Sequence, residues 1–412
     1  MRPDQFKWFV AGQAFWFAAF GLQAVMFPYL VVSVLQQSPE NVGIAQLCLM
    51  APSIALMVPG GILADSYDLR ILLIRMQFAA VIPVTVLALV TGAGLLSFAM
   101  LLGFALAQGS LQALVMPTRD ALLGRIAGTD VQRAVTTAMT VQFLAQIVGF
   151  VLAGSASYLG VHWLLAAQAI LYAIGASCAR KMAPAPPIRL EASATPPGAA
   201  RAQTRATVWA ELKVAFALVA KSPRIGPVTL IMVGIGFCFI GVFSVVVPIM
   251  VRDVYLGGSV ALAMVNGSFV GGVISATLVL RARRAVSRQG RAIFLSACIG
   301  AITTGLFATH PPVVVFYLLI SVFGAGAGVV MSLGRTLVQE AASPAHRARI
   351  LAIYSVAFLG AAPIGSVVVG QVAEVWGLAI AAAAASAAMS ALLVFVLART
   401  EVWRIRREVR TH

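Results

Sequence analysis

Two acids and a base crowd one short stretch of the sequence, Gly60-Gly61-Ile62-Leu63-Ala64-Asp65-Ser66-Tyr67-Asp68-Leu69-Arg70, which lies between two long apolar runs. The chemistry open to such a stretch is electrostatic. A carboxylate there accepts hydrogen bonds from a helix N-terminus and pairs with arginine. The paired glycines let neighbouring backbones approach closely. Gly61, Asp65, Asp68 and Arg70 therefore form a candidate hinge, with Arg119, Arg133 and Arg349 as basic residues near later helix ends. The plainer alternative is a set of solvated loop charges.

A second set carries amides. Gln13, Trp16, Phe20, Gln23 and Phe27 follow one another at spacings of 3, 4, 3 and 4, so they share one helix face. Gln108 and Gln112 lie one turn apart, as do Gln142 and Gln146. Amides avoid lipid and turn toward protein or a water-filled cavity. Two readings stay open: a pocket wall for an amphiphilic molecule, or interhelical hydrogen bonding. The second half offers fewer polar groups, with Phe237 as its cavity candidate. No Asp, Glu, Lys or Arg falls near the middle of any apolar run. Asp253 and Glu374, toward the ends of theirs, are the candidates for proton coupling.

The elements that must position these residues are long and apolar. Of 412 residues, 61% are hydrophobic and 10% charged, against about 25% charged in soluble domains. Mean hydropathy is +0.97. Runs near 9–35, 42–63, 70–91, 95–117, 134–158, 162–179, 225–250, 260–280, 292–309, 313–334, 350–373 and 377–398 are each near or above the roughly 20 residues needed to cross hydrocarbon. Twelve spans put both termini and every second connection on one side. That side collects 28 of the 29 lysines and arginines, leaving Arg252 alone on the other. The positive-inside rule makes it the cytoplasm. The net charge of +16 is then topological, and nucleic acid is not an expected partner. Cys48, Cys178, Cys238 and Cys298 fall singly in apolar runs, with no CxxC pair to suggest disulfides or zinc. The first run is too long for a cleavable signal peptide.

Prolines and Gly198 break the pattern between 180 and 224. The expected organisation is a six-helix bundle over 1–181, a cytoplasmic linker over 182–222, a second bundle over 223–399 and a tail over 400–412. Thr207 to Lys221 could lie on the membrane as an amphipathic helix. A shift of 216 lays Arg119 on Arg335, Arg133 on Arg349, Gly149 on Gly365 and Gly154 on Gly370. Two parallel six-helix repeats place a ligand near the midplane between them.

Gly61, Asp65 and Arg70 resemble the loop signature of the major facilitator superfamily, which this chain leaves at Ser66, Asp68 and Ile71. Asp68 and the run Met116-Pro117-Thr118-Arg119-Asp120-Ala121-Leu122 resemble the branch containing the enterobactin exporter and macrolide-efflux permeases. Two family motifs are incomplete: Ala105 stands where helix 4 carries arginine, and Gly149 to Gly154 lacks a proline and a glycine. The resemblance implies an all-α membrane protein of twelve transmembrane helices in two pseudo-symmetric six-helix bundles. It implies that Asp65 locks an inner gate against helices 4 and 11, with Arg119 or Arg133 and the region of Arg349 as partners. The expected function is secondary export of a small amphiphilic siderophore, antibiotic or drug, with metabolite import or a non-transporting sensor as alternatives. No cofactor is expected, and no enzyme: Ser/His/Asp, HExxH and Walker A patterns are absent. A monomer is expected in a bacterial inner membrane, with a proton gradient as its candidate driving force. The excess of arginine over lysine (25 to 4) points to that origin.

Overall fold

Each apolar run becomes a helix in the computed structural model. It describes residues 3–127, 130–184, 216–219, 222–282, 286–342 and 347–405, with the side chains of 3, 57–62, 64–66, 131–132 and 347–349 outside that description. The helices are α1 (Pro3–Tyr29, continued by a π-helical turn Leu30–Val34), α2 (Pro39–Ser66), α3 (Leu69–Gly92), α4 (Phe98–Ala127), α5 (Val131–Gly154) and α6 (Val161–Arg180). Then come α7 (Ile225–Asp253), α8 (Ser259–Ala282), α9 (Gln289–Phe307), α10 (Val313–Ala341), α11 (Arg347–Trp376) and α12 (Leu378–Arg399). Among the described residues, eleven of these are long and apolar enough to cross a membrane. The remaining one, α2, runs for 28 residues. No strand occurs among the described residues. This is an all-α, multi-pass membrane protein.

Local chemistry sets the helix ends. Ser38 caps α2 by accepting from Asn41 N, with Pro39 at the first helical position. Asp68 caps α3, accepting from Arg70 N at 2.9 Å and Ile71 N at 3.1 Å. Gly160 and Gly377 precede α6 and α12 at φ +87° and +86°, a region that glycine occupies without penalty. Within α7, π-helical turns at Ile235–Ile240 and Val242–Val246 flank Gly241. Most of the linker, the 8–9 loop at 283–285, the 10–11 loop at 343–346 and the tail from 406 lie outside the described residues. Of the proposed surface helix 207–221, only 216–219 is described, and it is helical.

The chain divides into two compact units. The first is Met1–Pro187 with Phe243–Val270 and Ser366–Leu378; the second is Ile188–Val242 with Gly271–Gly365 and Ala379–His412. In the first unit α5 crosses α1 with almost no space between backbones. A Cβ on Gly149 would sit 2.2 Å from the Ala18 carbonyl oxygen, and one on Gly21 would sit 2.4 Å from that of Gln146. In the second unit α11 crosses α7 in the same way: a Cβ on Gly365 would meet the Phe237 oxygen at 2.0 Å, and one on Gly236 the Phe358 oxygen at 2.3 Å. The shift of 216 that relates Gly149 to Gly365 is thus also a repeat of packing.

Still within the first unit, the Asp253 end of α7 and the neighbouring parts of α8 and α11 pack on α1, α5 and α2. We call this the far end, and the end where α1 begins the basic end. The Arg252 guanidinium donates to the carbonyls of Val32 (2.9 Å) and Gln37 (3.3 Å). Ser259 donates to the Gly154 carbonyl at 3.0 Å. A Cβ on Gly370 would lie 2.6 Å from the Pro39 oxygen, and one on Gly43 2.6 Å from that of Ser366.

Candidate functional site

The amides of the first unit converge. Gln23 on α1 offers one side-chain oxygen to three donors: Gln168 Nε2 of α6 at 3.2 Å, Tyr172 Oη of α6 at 3.1 Å and Gln112 Nε2 of α4 at 3.3 Å. Tyr172 Oη in turn accepts from Gln108 Nε2 of α4 at 3.0 Å. The Trp16 ring lies 4.6 Å from the Tyr172 ring, centroid to centroid. Trp16, Gln108, Gln168 and Tyr172 have 0% of their surface exposed. Helical spacing explains the convergence, because Trp16 and Gln23, Gln108 and Gln112, and Gln168 and Tyr172 each lie on one face of their helix. Buried amides far from water are stable only when they pair with one another. Among the described residues Gln13 Oε1, Trp16 Nε1, Gln108 Oε1 and Gln168 Oε1 remain buried without a hydrogen-bond partner.

This geometry sorts the cavity candidates. Gln13, Trp16, Gln23, Gln108 and Gln146 are buried, whereas Phe20, Gln112, Gln142 and Phe237 are half-buried and keep accessible surface. The network joins Gln23, Gln108 and Gln112. Gln168 and Tyr172 complete it, and neither was picked out from the sequence, although their one-turn spacing was visible there. Phe237 belongs to the α7–α11 crossing of the second unit, where its carbonyl faces Gly365. Nearby, Phe239 packs edge-on against Phe323 of α10 at 5.4 Å.

The hinge residues divide as well. Asp68 serves as the α3 cap. Arg70 donates through Nε to the Ala179 carbonyl at 3.3 Å and through Nη2 to the Arg180 carbonyl, closing the C-terminal end of α6. Arg119 pairs with the adjacent Asp120 at 2.8 Å and lies 4.8 Å from the centroid of the Phe17 ring. Arg133 is exposed near the start of α5. Gly61 and Asp65 lie in the last turns of α2 and Arg349 in the first turn of α11, with their side chains outside the described residues.

At the far end, Asp253 is gripped by Arg252 through two contacts, 2.5 Å and 2.9 Å. Glu374 is exposed near the end of α11. No group of three or more His, Cys, Asp and Glu residues able to hold a metal occurs among the described residues. The first-unit network is uncharged and is built from amide, phenol and indole groups that can donate and accept hydrogen bonds.

Comparison with known proteins agrees with this architecture. The structure resembles a point mutant of the nucleoside transporter NupG (TM-score 0.75, 15% identity, covering 96% of this chain and 99% of that one). It resembles a POT family transporter in complex with 5-aminolevulinic acid (TM-score 0.74, 13% identity, 95% of each chain). It also resembles the tetrameric PepTSo2 (TM-score 0.71, 14% identity, 96% of this chain and 97% of that one). At such identities the likeness concerns the fold alone. No curated protein sequence matches the chain. The pattern of the Major Facilitator Superfamily does match, over residues 9–342, and the chain therefore belongs to that superfamily of transporters.

Proposed function

We propose that this protein is a secondary transporter that exports a small, neutral, amphiphilic molecule by alternating access. The observation that carries the reading is the uncharged set of polar and ring side chains in the first unit: half-buried Phe20, Gln112 and Gln142, backed by a buried amide–phenol network. Such a surface suits siderophore-like or antibiotic-like ligands that bring few formal charges. The resemblance of Asp68 and the Met116–Leu122 run to the enterobactin-exporter and macrolide-efflux branch supports the outward direction.

The far-end contacts of α1, α2 and α5 with α7, α8 and α11 support a state closed on that side. The helix count assigns 28 of 29 cations to the side on which the chain starts, and we take that side as cytoplasmic, in a bacterial inner membrane, with both termini inside. The functional halves are 1–181 and 223–399, joined by 182–222, in a monomer. We assign the inner-gate role to Gly61, Asp65 and Arg119 or Arg133 in the first unit, and to the region of Arg349 in the second. Glu374 is the proposed site of proton coupling, the Asp253 carboxylate being engaged by Arg252.

A deletion strain should gain sensitivity to amphiphilic antibiotics or retain siderophore, and everted vesicles carrying the protein should accumulate the same compound. Uptake into intact cells with no accumulation in everted vesicles would make it an importer. Binding without flux would make it a sensor. Glu374→Gln should abolish export driven by a pH gradient; undiminished export would remove Glu374 from the mechanism.

A further inference from the structure

The shift of 216 relates one more pair of sites. Arg75 and Phe78 of α3 fall on Arg291 and Phe294 of α9. In the second unit this edge is covered by the chain itself. The Trp403 ring stands edge-on to Phe294 at 6.0 Å, the Arg291 guanidinium lies 4.7 Å from its centroid, and Arg291 Nε donates to the Trp403 carbonyl at 3.1 Å. Val402 and Ile405 beside it are buried.

In the first unit the matching edge carries cations instead. The Arg180 guanidinium lies 4.6 Å from the centroid of the Phe78 ring, and Lys181 Nζ lies 4.0 Å from that of Trp8. Lys7, Arg75, Arg180 and Lys181 are all exposed. Among the described residues none of these four has a carboxylate partner. Two acids are near in sequence: Asp4 is exposed, and the Asp68 carboxylate is committed to capping α3. Four cations beside two rings at a helix-bundle end match a phosphate head with its glycerol backbone.

We propose that the edge formed by α1, α3 and α6 at the basic end binds the anionic headgroup of a phospholipid. The phosphate sits among Arg75, Arg180 and Lys181, and the Trp8 and Phe78 rings flank the glycerol region. The other occupant to weigh is the chain's own linker, by analogy with Trp403. Residues 182–222 carry Arg189, Arg201, Arg205, Lys213 and Lys221 against Glu191 and Glu211, a net +3. Like charges disfavour that segment, and an anionic lipid complements the edge. The proposal requires only that this edge lies at a bilayer surface, so symmetric bilayers test it apart from the orientation and direction proposed above.

The full chain in nanodiscs of mixed phosphatidylcholine and phosphatidylglycerol, examined by native mass spectrometry, should retain phosphatidylglycerol preferentially. Arg180→Gln and Lys181→Gln should each cut that preference about fivefold. Arg180→Lys, which keeps the charge, and Arg291→Gln, on the covered edge, should leave it within about twofold. Thermal unfolding in detergent checks that each variant is folded. A photoreactive phenylalanine at position 78 should form a lipid adduct. Equal retention of the two lipids by the unaltered protein, an unchanged preference in folded Arg180→Gln and Lys181→Gln, or a position-78 adduct to the 182–222 segment would each overturn the proposal.

Discussion

The two units share a crossing and differ in what surrounds it. In both, glycines bring paired helices together until backbone touches backbone: Gly149 on Ala18 in one, Gly365 on Phe237 in the other. Around the first crossing α1, α4 and α6 are tied by amides and a phenol, with Gln23 serving three donors. Around the second, α7 and α10 meet through the Phe239 and Phe323 rings. Residues 108 and 112 of α4 are glutamines, and their counterparts 216 positions on are Gly324 and Gly328. A Cβ on Gly328 would come within 2.9 Å of the Val273 carbonyl oxygen. Close backbone approach is therefore the shared requirement of the repeat. Hydrogen bonding is the speciality of one copy. An amide network fixes direction and discriminates among polar groups, whereas rings and close backbone tolerate reshaping.

The largest expected effect tests what the copies share. Gly149→Val and Gly365→Val each place a branched side chain where a carbonyl already sits. Each should lower stability by about 1–3 kcal/mol or more, read as loss of folded protein in detergent. A large effect at only one site would break the equivalence. Next, Gln23→Leu strips the shared acceptor from three donors. Leaving a buried donor unpaired costs about 1–3 kcal/mol, so its thermal midpoint should fall well below that of Phe239→Leu, for which a loss under about 1.5 kcal/mol is expected. Equal losses would erase the contrast between polar and apolar surroundings. Tyr172→Phe removes the bond to Gln23 and the one from Gln108 but leaves Gln23 its two amide donors, and should cost about 0.6–1.7 kcal/mol. The smallest effect on stability belongs to Arg252→Gln, whose partly exposed ion pair is worth about 0–1 kcal/mol. Its consequence should instead be kinetic: a thiol probe at position 37, introduced as Gln37→Cys, should react faster once the Val32 and Gln37 carbonyls lose their donor. Unchanged reactivity would remove Arg252 from the far-end closure.

Much of this was legible in the chain. Apolar run length gave the helices, because in lipid every backbone group must be satisfied within the segment. The α1 stripe pointed at Gln23 through its spacing alone. The 216-residue shift found Gly149 and Gly365 before their contacts were known. Other features were out of reach for physical reasons. Spacing tells which residues share a face and not which helix that face meets, so Gln168 and Tyr172 gave no sign of pairing with Gln23, 145 and 149 positions away. Arg70 looked like a loop charge or a gate; its role in closing α6 depends on carbonyls 109 and 110 residues distant. The sequence sets the tail apart from the second bundle, yet Val402–Arg404 forms a 3-10 turn with Val402 fully buried.

That turn governs how the molecule can be handled. A reporter or purification handle spliced directly onto Arg399 would delete Val402, Trp403 and Ile405, and with them the lid over Phe294 and Gly290, where the Val402 carbonyl sits so close that a Cβ would approach it to 2.1 Å. A junction placed after Ile405 leaves that lid intact, so two fusions differing by six residues should behave as different proteins in any assay of folding or yield.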